Sequence, residues 1–500
     1  MAELSEVSRG YSTILDTTRN GKDQTIGGFL NLDDTKKCIE SRQLHSGGYL
    51  CKDRVELECS TGAHSNSSMC QNEENDGNEY ASELLEKILE PGNLNLAYKR
   101  VKANKGSHGV DGMAVGELLS YLKQNGELIR QAILEGTYRP SSVRRVEIPK
   151  LDGGIRLLGI PTVLDRVIQQ AIAQVLSPIF EIKFSEFSFG FRPNKSAHQA
   201  VVKCKEYIEA GYTWTVDIDL AKYFDTVNHD KLMRLISETI KDGRVLSLIR
   251  KYLKSGVMIN GVVMDTGEGT PQGGNLSPLL SNIMLNELDS ELTKRDLKFC
   301  RYADDCNIYV KSQKAANRVM QSITKFIEDK LKLKVNKEKS VVDRPWKLKL
   351  LGFSFYHKKE GIGIRVHPKS VRKFKQKLRQ ITGRSNAMSM VYRMLKLKKL
   401  ITGWVNYFGI ADMRELVKSL DEWLRRRIRM CYWKQWKKIK TKQDNLVKLG
   451  IDNFKAWKFA NTRKSYWRIA GSSILQSTFT NEYLKKLGFQ SITERYSLAH

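Results

Sequence analysis

Residues 299–310 read FCRYADDCNIYV, in which two adjacent aspartates separate two short apolar runs. Apolar runs of this length on either side of a tight turn are typical of a β-hairpin, and we expect its turn at Ala303, Asp304 and Asp305. Two neighbouring carboxylates at the edge of a sheet repel each other unless a cation lies between them. Because a lone pair of aspartates is more simply explained as an acidic turn, the interpretation depends on the segments that accompany it.

A second acidic strand lies upstream, in VDIDLAKYFD at residues 216–225. We expect a strand over residues 213–220 that carries Asp219 near its end, with a helix from Asp225 onward. Metal-dependent nucleotide addition uses two Mg²⁺ ions, which prefer oxygen ligands and need a carboxylate from a further strand. Asp219 is the candidate, and Asp217 is a rival because alternate residues of a strand share a face. By itself this segment is equally well explained as the end of an ordinary strand.

The remaining patterns place these strands among helices. The glycine-rich segment GTPQGGNLSP at residues 269–278 allows close backbone approach, as expected beneath a template–primer pair, and precedes a predicted helix at 279–292. An amphipathic helix is predicted from Val163 onward. Mixed elements in this order favour an α+β fold in which helices back an antiparallel sheet.

Charge is distributed unevenly along a chain whose net charge is +29. Residues 366–500 carry 31 basic and 8 acidic side chains, whereas residues 1–80 carry 8 and 14. Such a cationic region implies a polyanionic partner, and nucleic acid fits best. No run approaches the roughly 20 apolar residues that span a bilayer, and no secretory signal is evident, so we expect a cytoplasmic protein without membrane contact. The eight irregularly spaced cysteines predict neither zinc sites nor disulfides.

The basic region is predicted to be helical. An apolar stripe (Val417, Leu420, Leu424, Ile428 and Cys431) is surrounded by Arg425, Arg426, Arg427 and Arg429. Six of the eight tryptophans lie between Trp404 and Trp467. Interleaved rings and cations favour RNA binding by this region. The alternative is that the tryptophans form the helix core and the cations a solvated face.

The three acidic and glycine-rich segments together resemble the palm motifs of reverse transcriptases. Residues 82–500 resemble, more closely, a bacterial group II intron-encoded reverse transcriptase/maturase. The further segments that carry this resemblance are RVEIPK (145–150), GIRLLGIP (154–161), FGFRPN (189–194), LKVNKEKS (333–340), LLGF (350–353) and GWVNYF (403–408).

The resemblance implies a right-hand polymerase divided into four parts. Residues 1–80 form a low-complexity or disordered leader, 81–365 the fingers and palm, 366–440 a helical thumb/maturase domain, and 441–500 a basic nucleic-acid-binding segment. A His/Cys endonuclease is not expected, because the only histidine after Cys431 is His500 and no cysteine follows.

The resemblance also implies site residues. The ligands of two Mg²⁺ ions, for which Mn²⁺ is a substitute, are Asp219, Asp304 and Asp305, and Lys339 is a proton donor to pyrophosphate. Nucleotide-binding residues are Lys150, Arg156, Phe224 and Gln272, with Phe224 excluding a ribose 2′-hydroxyl. Arg192, Leu351 and Gly352 contact primer or template, although a structural role for Arg192 is almost as well supported.

The implied function is RNA-directed DNA synthesis, together with binding to group II intron RNA as a splicing maturase and support of intron mobility, as a cytoplasmic ribonucleoprotein. Its partners are that RNA, an RNA template with a DNA or RNA primer, target DNA and deoxynucleoside triphosphates. Three alternatives stay open: a maturase without polymerase activity, a reverse transcriptase used by its host, for example in phage defence, and, more weakly, an RNA-directed RNA polymerase.

Overall fold

The computed structural model describes residues 83–149, 154–259, 262–264, 268–270 and 273–498. The predicted leader at residues 1–80, Lys150 and Gln272 lie outside this part of the chain. None of the helices within it combines the length and the apolar character needed to cross a membrane.

Helices and two strands form the first part of the fold. In chain order these are α1 (Leu84–Ile88), α2 (Pro91–Asn104), α3 (Leu118–Leu134), β1 (Val143–Pro149), β2 (Ile155–Ile160), α4 (Val163–Glu181) and α5 (Ala197–Glu209). The predicted amphipathic helix from Val163 is α4. It begins where Thr162 accepts a hydrogen bond from the Asp165 backbone N–H, and its apolar side chains enter the main core.

The central part carries the acidic motifs. It contains β3 (Trp214–Ile218), a 3₁₀ turn (Tyr223–Asp225), α6 (His229–Thr239), α7 (Gly243–Leu253), β4 (Val257–Ile259), β5 (Val262–Met264), α8 (Ser277–Lys294), β6 (Lys298–Tyr302), β7 (Asp305–Val310), α9 (Gln313–Asp329) and β8 (Val341–Asp343). The expected hairpin is β6–β7. Asp305 begins β7, so the turn itself contains only Ala303 and Asp304, and the expected helix after Asp225 begins at His229.

Two four-stranded sheets organise these strands. One has the order β6-β7-β3-β8 with antiparallel neighbours throughout, and α8 and α9 pack against it. The other has the order β2-β1-β4-β5, in which β1 and β4 run parallel. The expected α+β class with an antiparallel sheet backed by helices is therefore confirmed, with one parallel pair that periodicity alone did not indicate.

The last part is a two-stranded sheet followed by helices. The strands are β9 (Phe353–His357) and β10 (Ile362–Val366), and the helices are α10 (Pro368–Ile381), α11 (Met390–Phe408), α12 (Arg414–Gln435), α13 (Ile439–Lys448), α14 (Asn453–Ala460), α15 (Tyr466–Ile469), α16 (Ser473–Thr478), α17 (Asn481–Lys486) and α18 (Ile492–Ser497). The predicted apolar stripe of α12 is buried at every position from Val417 to Cys431 and forms part of a second core.

Candidate active site

The β6–β7 hairpin presents the paired aspartates at one edge of the antiparallel sheet. Its last strand pair is Tyr302 with Asp305, which leaves a two-residue turn of Ala303 and Asp304. Ala303 has a φ of 58°, a left-handed conformation that costs an L-residue roughly 1–2 kcal/mol. Other contacts must therefore hold this turn in place.

Asp219 lies beside Asp305. Strand β3 pairs with β7 so that Ile218 is opposite Cys306, and Asp219 follows directly on one strand while Asp305 precedes on the other. The backbone N–H of Asp219 donates to the Ser340 hydroxyl at 3.1 Å. These contacts bring the carboxylates of two strands to the same sheet edge.

The pKa of Asp217 reflects the negative charge at this edge of the sheet. Burial and the neighbouring carboxylates of Asp305 and Asp219 raise the pKa of Asp217 to about 7. This effect agrees with strand alternation, which places Asp217 on the same side of the sheet as Asp219 and Asp305. The edge therefore favours a cation, and its hard oxygen donors suit Mg²⁺ or Mn²⁺.

No three carboxylate, imidazole or thiol groups stand in metal-binding geometry anywhere in the described residues. The chemistry of the donors nevertheless fits a hard divalent cation, because the candidate ligands are all carboxylates and Asp217 experiences the charge of two of them. The ligand set thus stays a prediction.

A buried arginine holds the turn. Arg301, directly before Tyr302, is completely buried and forms a two-pronged ion pair with Asp289 of α8, with N–O distances of 2.7 and 2.6 Å. The same guanidinium donates to the Ala303 carbonyl at 2.9 Å and to Asn282 at 3.1 Å. Burial, the largest single influence, lowers the pKa of Arg301, but the charge and the hydrogen bonds of Asp289, with smaller contributions from other neighbours, together raise that pKa above its usual value. This arginine is a positioning residue that the motif analysis missed, although a lone cation within an apolar strand was a visible signal.

Gly190 completes the support of the turn by its small size. A Cβ at Gly190 would lie 2.2 Å from the backbone nitrogen of Ala303, closer than any real contact. The Gly190 carbonyl accepts a hydrogen bond from the Asn282 side-chain amide at 2.9 Å, and the amide oxygen of Asn282 accepts a hydrogen bond from Arg301. Residues 189–190 are therefore packed directly behind the turn.

The glycine-rich turn links Phe224 to strand β2. The Thr270 N–H donates to the Phe224 carbonyl at 2.7 Å, and the ring of Phe224 is half-buried against the Tyr223 ring. On the other side, a Cβ at Gly273 would lie 2.5 Å from the Gly159 carbonyl oxygen of β2. The same strand carries Arg156, whose side chain is exposed. Phe224 and Gly159 thus border the glycine-rich segment, and Arg156 lies three residues before Gly159 on β2. Lys150 and Gln272 lie outside the described residues.

The segment that contains Lys339 contacts the acidic sheet edge, and the Leu351–Gly352 turn contacts the helical part of the protein. Lys339 is exposed, in the same short segment as Ser340, which receives the Asp219 N–H. Leu351 has a φ of 49°, and its carbonyl accepts the Tyr407 hydroxyl of α11 at 2.8 Å. The turn is therefore a strained element docked on the helical part of the protein.

The side chain of Arg192 bonds to other residues of the protein. Its guanidinium binds Glu181 at 2.7 Å, donates to the carbonyls of Ser185 and Ser188, and lies 5.4 Å from the Phe184 ring centroid. The side chain is 6% exposed. These contacts favour the structural alternative over contact with a template.

The four arginines of α12 are also engaged by the protein. Arg426 donates to the Trp467 carbonyl and lies over its ring, Arg427 donates to Thr382 at 2.6 Å, and Arg429 donates to the Phe479 carbonyl. Arg425 lies 4.0 Å from Asp421. Burial lowers the pKa of Arg427 and Arg429. Arg426, Arg427 and Arg429 therefore connect α12 to neighbouring segments, whereas Arg425 pairs within α12. Neither the RNA-binding prediction nor its solvated-surface alternative anticipated these contacts.

Two successive segments of the chain match two known protein families. Residues 148–355 match the family described as "Reverse transcriptase (RNA-dependent DNA polymerase)", and residues 371–450 match "Group II intron, maturase-specific domain".

Curated proteins show the same relationship. The chain is 36% identical over 299 residues to Protein YkfC of Escherichia coli, which covers 52% of this chain and 78% of that protein. It is 37% identical over 232 residues to the group II intron-encoded protein LtrA of Lactococcus lactis, covering 46% of this chain and only 38% of LtrA. A solved structure described as "Partial Cas6-RT-Cas1--Cas2 complex" is 23% identical with a TM-score of 0.32, covering 49% of this chain and 42% of that chain.

Replacement of Asp289 by asparagine is predicted to destabilise the protein. The Asp289→Asn change keeps the shape of the side chain but leaves the buried Arg301 charge without its counter-charge, which costs about 3–5 kcal/mol. The expected result is a lower urea midpoint of unfolding. As a control, Asp296→Asn removes an exposed ion pair with Lys298 and is expected to leave the midpoint nearly unchanged. Equal midpoints for the two variants would contradict the proposed importance of the buried pair.

Gly190→Ala is predicted to destabilise the β6–β7 turn, because the added methyl group overlaps the Ala303 backbone. Its control is Gly126→Ala, in the middle of α3, where an added Cβ meets nothing within 4 Å. Alanine is favoured over glycine within a helix by about 1 kcal/mol, so this control is expected to raise the unfolding midpoint. The two glycine substitutions should therefore shift the midpoint in opposite directions. A Gly190→Ala protein as stable as the parent would refute the close packing behind the turn.

Proposed function

The chain belongs to the family of group II intron reverse transcriptases that carry a maturase domain, and on this premise we propose how its residues perform RNA-directed DNA synthesis. The observation that carries the proposal is the pairing of β3 with β7, which brings Asp219 next to Asp305 and the Asp304 turn. Three carboxylates from two strands at one sheet edge are what nucleotide addition by two metal ions requires.

We propose that Asp219, Asp304 and Asp305 hold the divalent ions, Mg²⁺ or in its place Mn²⁺. When bound, such ions activate the primer 3′-hydroxyl and neutralise charge on the leaving pyrophosphate. The contribution of the chain is to fix the carboxylates beforehand. Arg301 and Gly190 hold the turn, and the Ser340 hydroxyl holds the backbone at Asp219. Preorganised ligands need little rearrangement when substrate binds.

Other residues are proposed to bind and orient the nucleotide. Lys150 and Arg156 attract the triphosphate by charge, and the exposed side chain of Arg156 is accessible to it. Phe224 borders the glycine-rich turn, and we propose that its ring excludes a ribose 2′-hydroxyl. Gln272 is proposed to contact the nucleotide from that same turn. Lys339 is proposed to donate a proton to the departing pyrophosphate, since its segment is bonded to the Asp219 backbone.

The Leu351–Gly352 turn is proposed to position the primer. Its backbone is fixed by Tyr407 and by Ser370, whose hydroxyl donates to the Gly352 carbonyl at 2.9 Å. The remaining proposed partners are an RNA template with a DNA or RNA primer, deoxynucleoside triphosphates and target DNA. We also propose that the protein acts in the cytoplasm as a ribonucleoprotein.

The polymerase proposal is tested by the double substitution Asp304→Ala with Asp305→Ala. We expect primer extension on an RNA template to fall by at least about a thousandfold, in keeping with the loss of a charge-stabilising group in other enzymes, while RNA affinity stays within about twofold. The measurement is single-turnover extension of a labelled primer.

The control for this test is Glu328→Ala with Asp329→Ala, an exposed acidic pair at the end of α9. This control removes the same charge from the protein and is expected to extend primers at the parental rate. If the Asp304/Asp305 variant synthesised DNA at the parental rate, the assignment of these aspartates as metal ligands would be wrong.

For the maturase role, we propose that intron RNA binds the basic face of α10. Residues 361–411 contain twelve lysines and arginines and no aspartate or glutamate. On α10, Lys369, Arg372, Lys373 and Lys377 are exposed to solvent. Exposed cations release counterions when they meet phosphates, whereas the arginines of α12 are already bonded within the protein. The RNA-binding surface is therefore proposed to lie on α10 rather than on α12.

Salt dependence separates these two groups of cations. Replacing Lys369, Arg372, Lys373 and Lys377 by alanine should reduce the slope of log affinity against log salt by about 0.7–0.9 for each RNA phosphate that the protein no longer neutralises. The matched variant replaces the four α12 arginines, Arg425, Arg426, Arg427 and Arg429, and is expected to lower the unfolding midpoint while leaving the slope unchanged. Fluorescence anisotropy with the intron RNA measures both slopes. If the slope of log affinity against log salt changed only in the α12 variant, the α12 arginines and not the α10 cations would be the RNA-binding residues.

A further inference from the structure

Helix α14 presents two aromatic side chains to solvent side by side. Phe454 is 70% exposed and Trp457 is 52% exposed. Their ring centroids are 6.3 Å apart and the ring planes are inclined by 26°, so the two rings form a stacked pair. Scattered exposed apolar residues are ordinary on proteins, but two large adjacent rings are not explained in that way.

The packing of α14 sets this outward orientation. Ala456 and Ala460 are buried and face the rest of the protein, while the Asp452 side chain accepts the Lys455 N–H and starts the helix. Because Phe454 and Trp457 are three residues apart, they share the opposite face. The pair is therefore exposed by a helix whose inner face is already anchored.

Apart from Asp452, which caps the start of the helix, the charged residues close in sequence to the two rings are positive. Residues 453–468 contain five lysines and arginines and no aspartate or glutamate. Lys455 and Lys458 are exposed on the same helix as the rings, and Arg463 and Lys464 are exposed just beyond it. Flat rings between cations match the two features of a single nucleic-acid strand, which are stacked bases and phosphates.

Trp467 provides a contrast within the same region. Arg426 lies over its ring at 4.2 Å and donates to its carbonyl, so one face of this indole is already covered by the protein. For Phe454 and Trp457, the ring contact within the described residues is the one they make with each other. Phe454 and Trp457 are also more exposed than Trp467, at 70% and 52% against 36%.

We propose that Phe454 and Trp457, with Lys455 and Lys458, form a stacking platform for unpaired bases of the RNA partner. The proposal rests on the proposed RNA-binding function and extends it to a site beyond residues 371–450, where the maturase-specific match ends. Helix α13 lies within that match and joins α14 through Gln443, whose amide donates to Asn453 at 2.7 Å. Continuity with the maturase region and the positive charge favour RNA over an apolar protein partner.

The rings and the cations of the platform make separable contributions. Base stacking does not release counterions, whereas each lysine that neutralises a phosphate does. Phe454→Ala with Trp457→Ala should thus weaken binding of an unstructured single-stranded RNA by at least about tenfold without changing the salt slope. Lys455→Ala with Lys458→Ala should instead reduce that slope by about 1.4 in total, at roughly 0.7 for each single-strand phosphate.

The experiment uses the full chain and measures anisotropy with three probes, namely a 20-nucleotide unstructured RNA, the same sequence as DNA, and a fully paired RNA hairpin. The control variant is Leu119→Ala with Leu128→Ala, which removes exposed apolar area from α3. Support is a tenfold loss for single-stranded RNA in the ring variant, with hairpin affinity and the control within twofold of the parent.

Three results would overturn the platform: unchanged affinity for single-stranded RNA, an equal loss for the paired hairpin, or a loss confined to the DNA probe. A change in the dimer content of the ring variant, with RNA binding intact, would identify a second copy as the occupant and would also overturn it. Primer extension by the ring variant on a short template reports on the polymerase separately. Its retention distinguishes failure of the platform from failure of the proposed enzymatic function.

Discussion

The ion pair between Arg301 and Asp289 is the constraint on which the catalytic edge depends. A fully buried guanidinium is tolerated only when each of its donors meets an acceptor, and here the acceptors come from α8 and from the turn itself. Because one cation bonds both to the helix and to the Ala303 carbonyl, the position of the aspartates is tied to the helix behind the sheet. Gly190 closes the remaining space, so the turn has little freedom to move.

The basic helical part uses its cations in two ways. On α12, guanidinium groups bond to carbonyls and rings of neighbouring helices and thus serve the fold. On α10, lysines and an arginine face solvent with no acidic residue nearby in sequence. Net charge alone does not distinguish these uses, because it counts bonded and solvent-facing side chains equally. The surface that we propose for RNA is accordingly smaller than the composition suggests, and it lies on α10.

Local patterns predicted much of this architecture. The β6–β7 hairpin, the helix α4 and the buried stripe of α12 follow from periodicity, which depends on near neighbours in the chain. The placement of Asp219 beside Asp305 was anticipated from motif resemblance, since strand register is not visible in one sequence. Contacts between distant residues escaped prediction: Arg301 with Asp289 and Asn282, Arg192 with Glu181, and the α12 arginines with distant carbonyls. Each of these contacts joins a charged side chain to a partner that the local sequence pattern does not identify.

The contact between Asp219 and Ser340 joins residues 121 positions apart, and strand β8, which pairs with β3, begins only at Val341. During translation, the carboxylate at the end of β3 thus leaves the ribosome long before the residues that hold its backbone. A nascent chain can gain its helices early, but it cannot assemble the sheet edge until β8 has emerged. The sheet edge that carries Asp219 is consequently completed late in biosynthesis, once residues 340–343 have been synthesised.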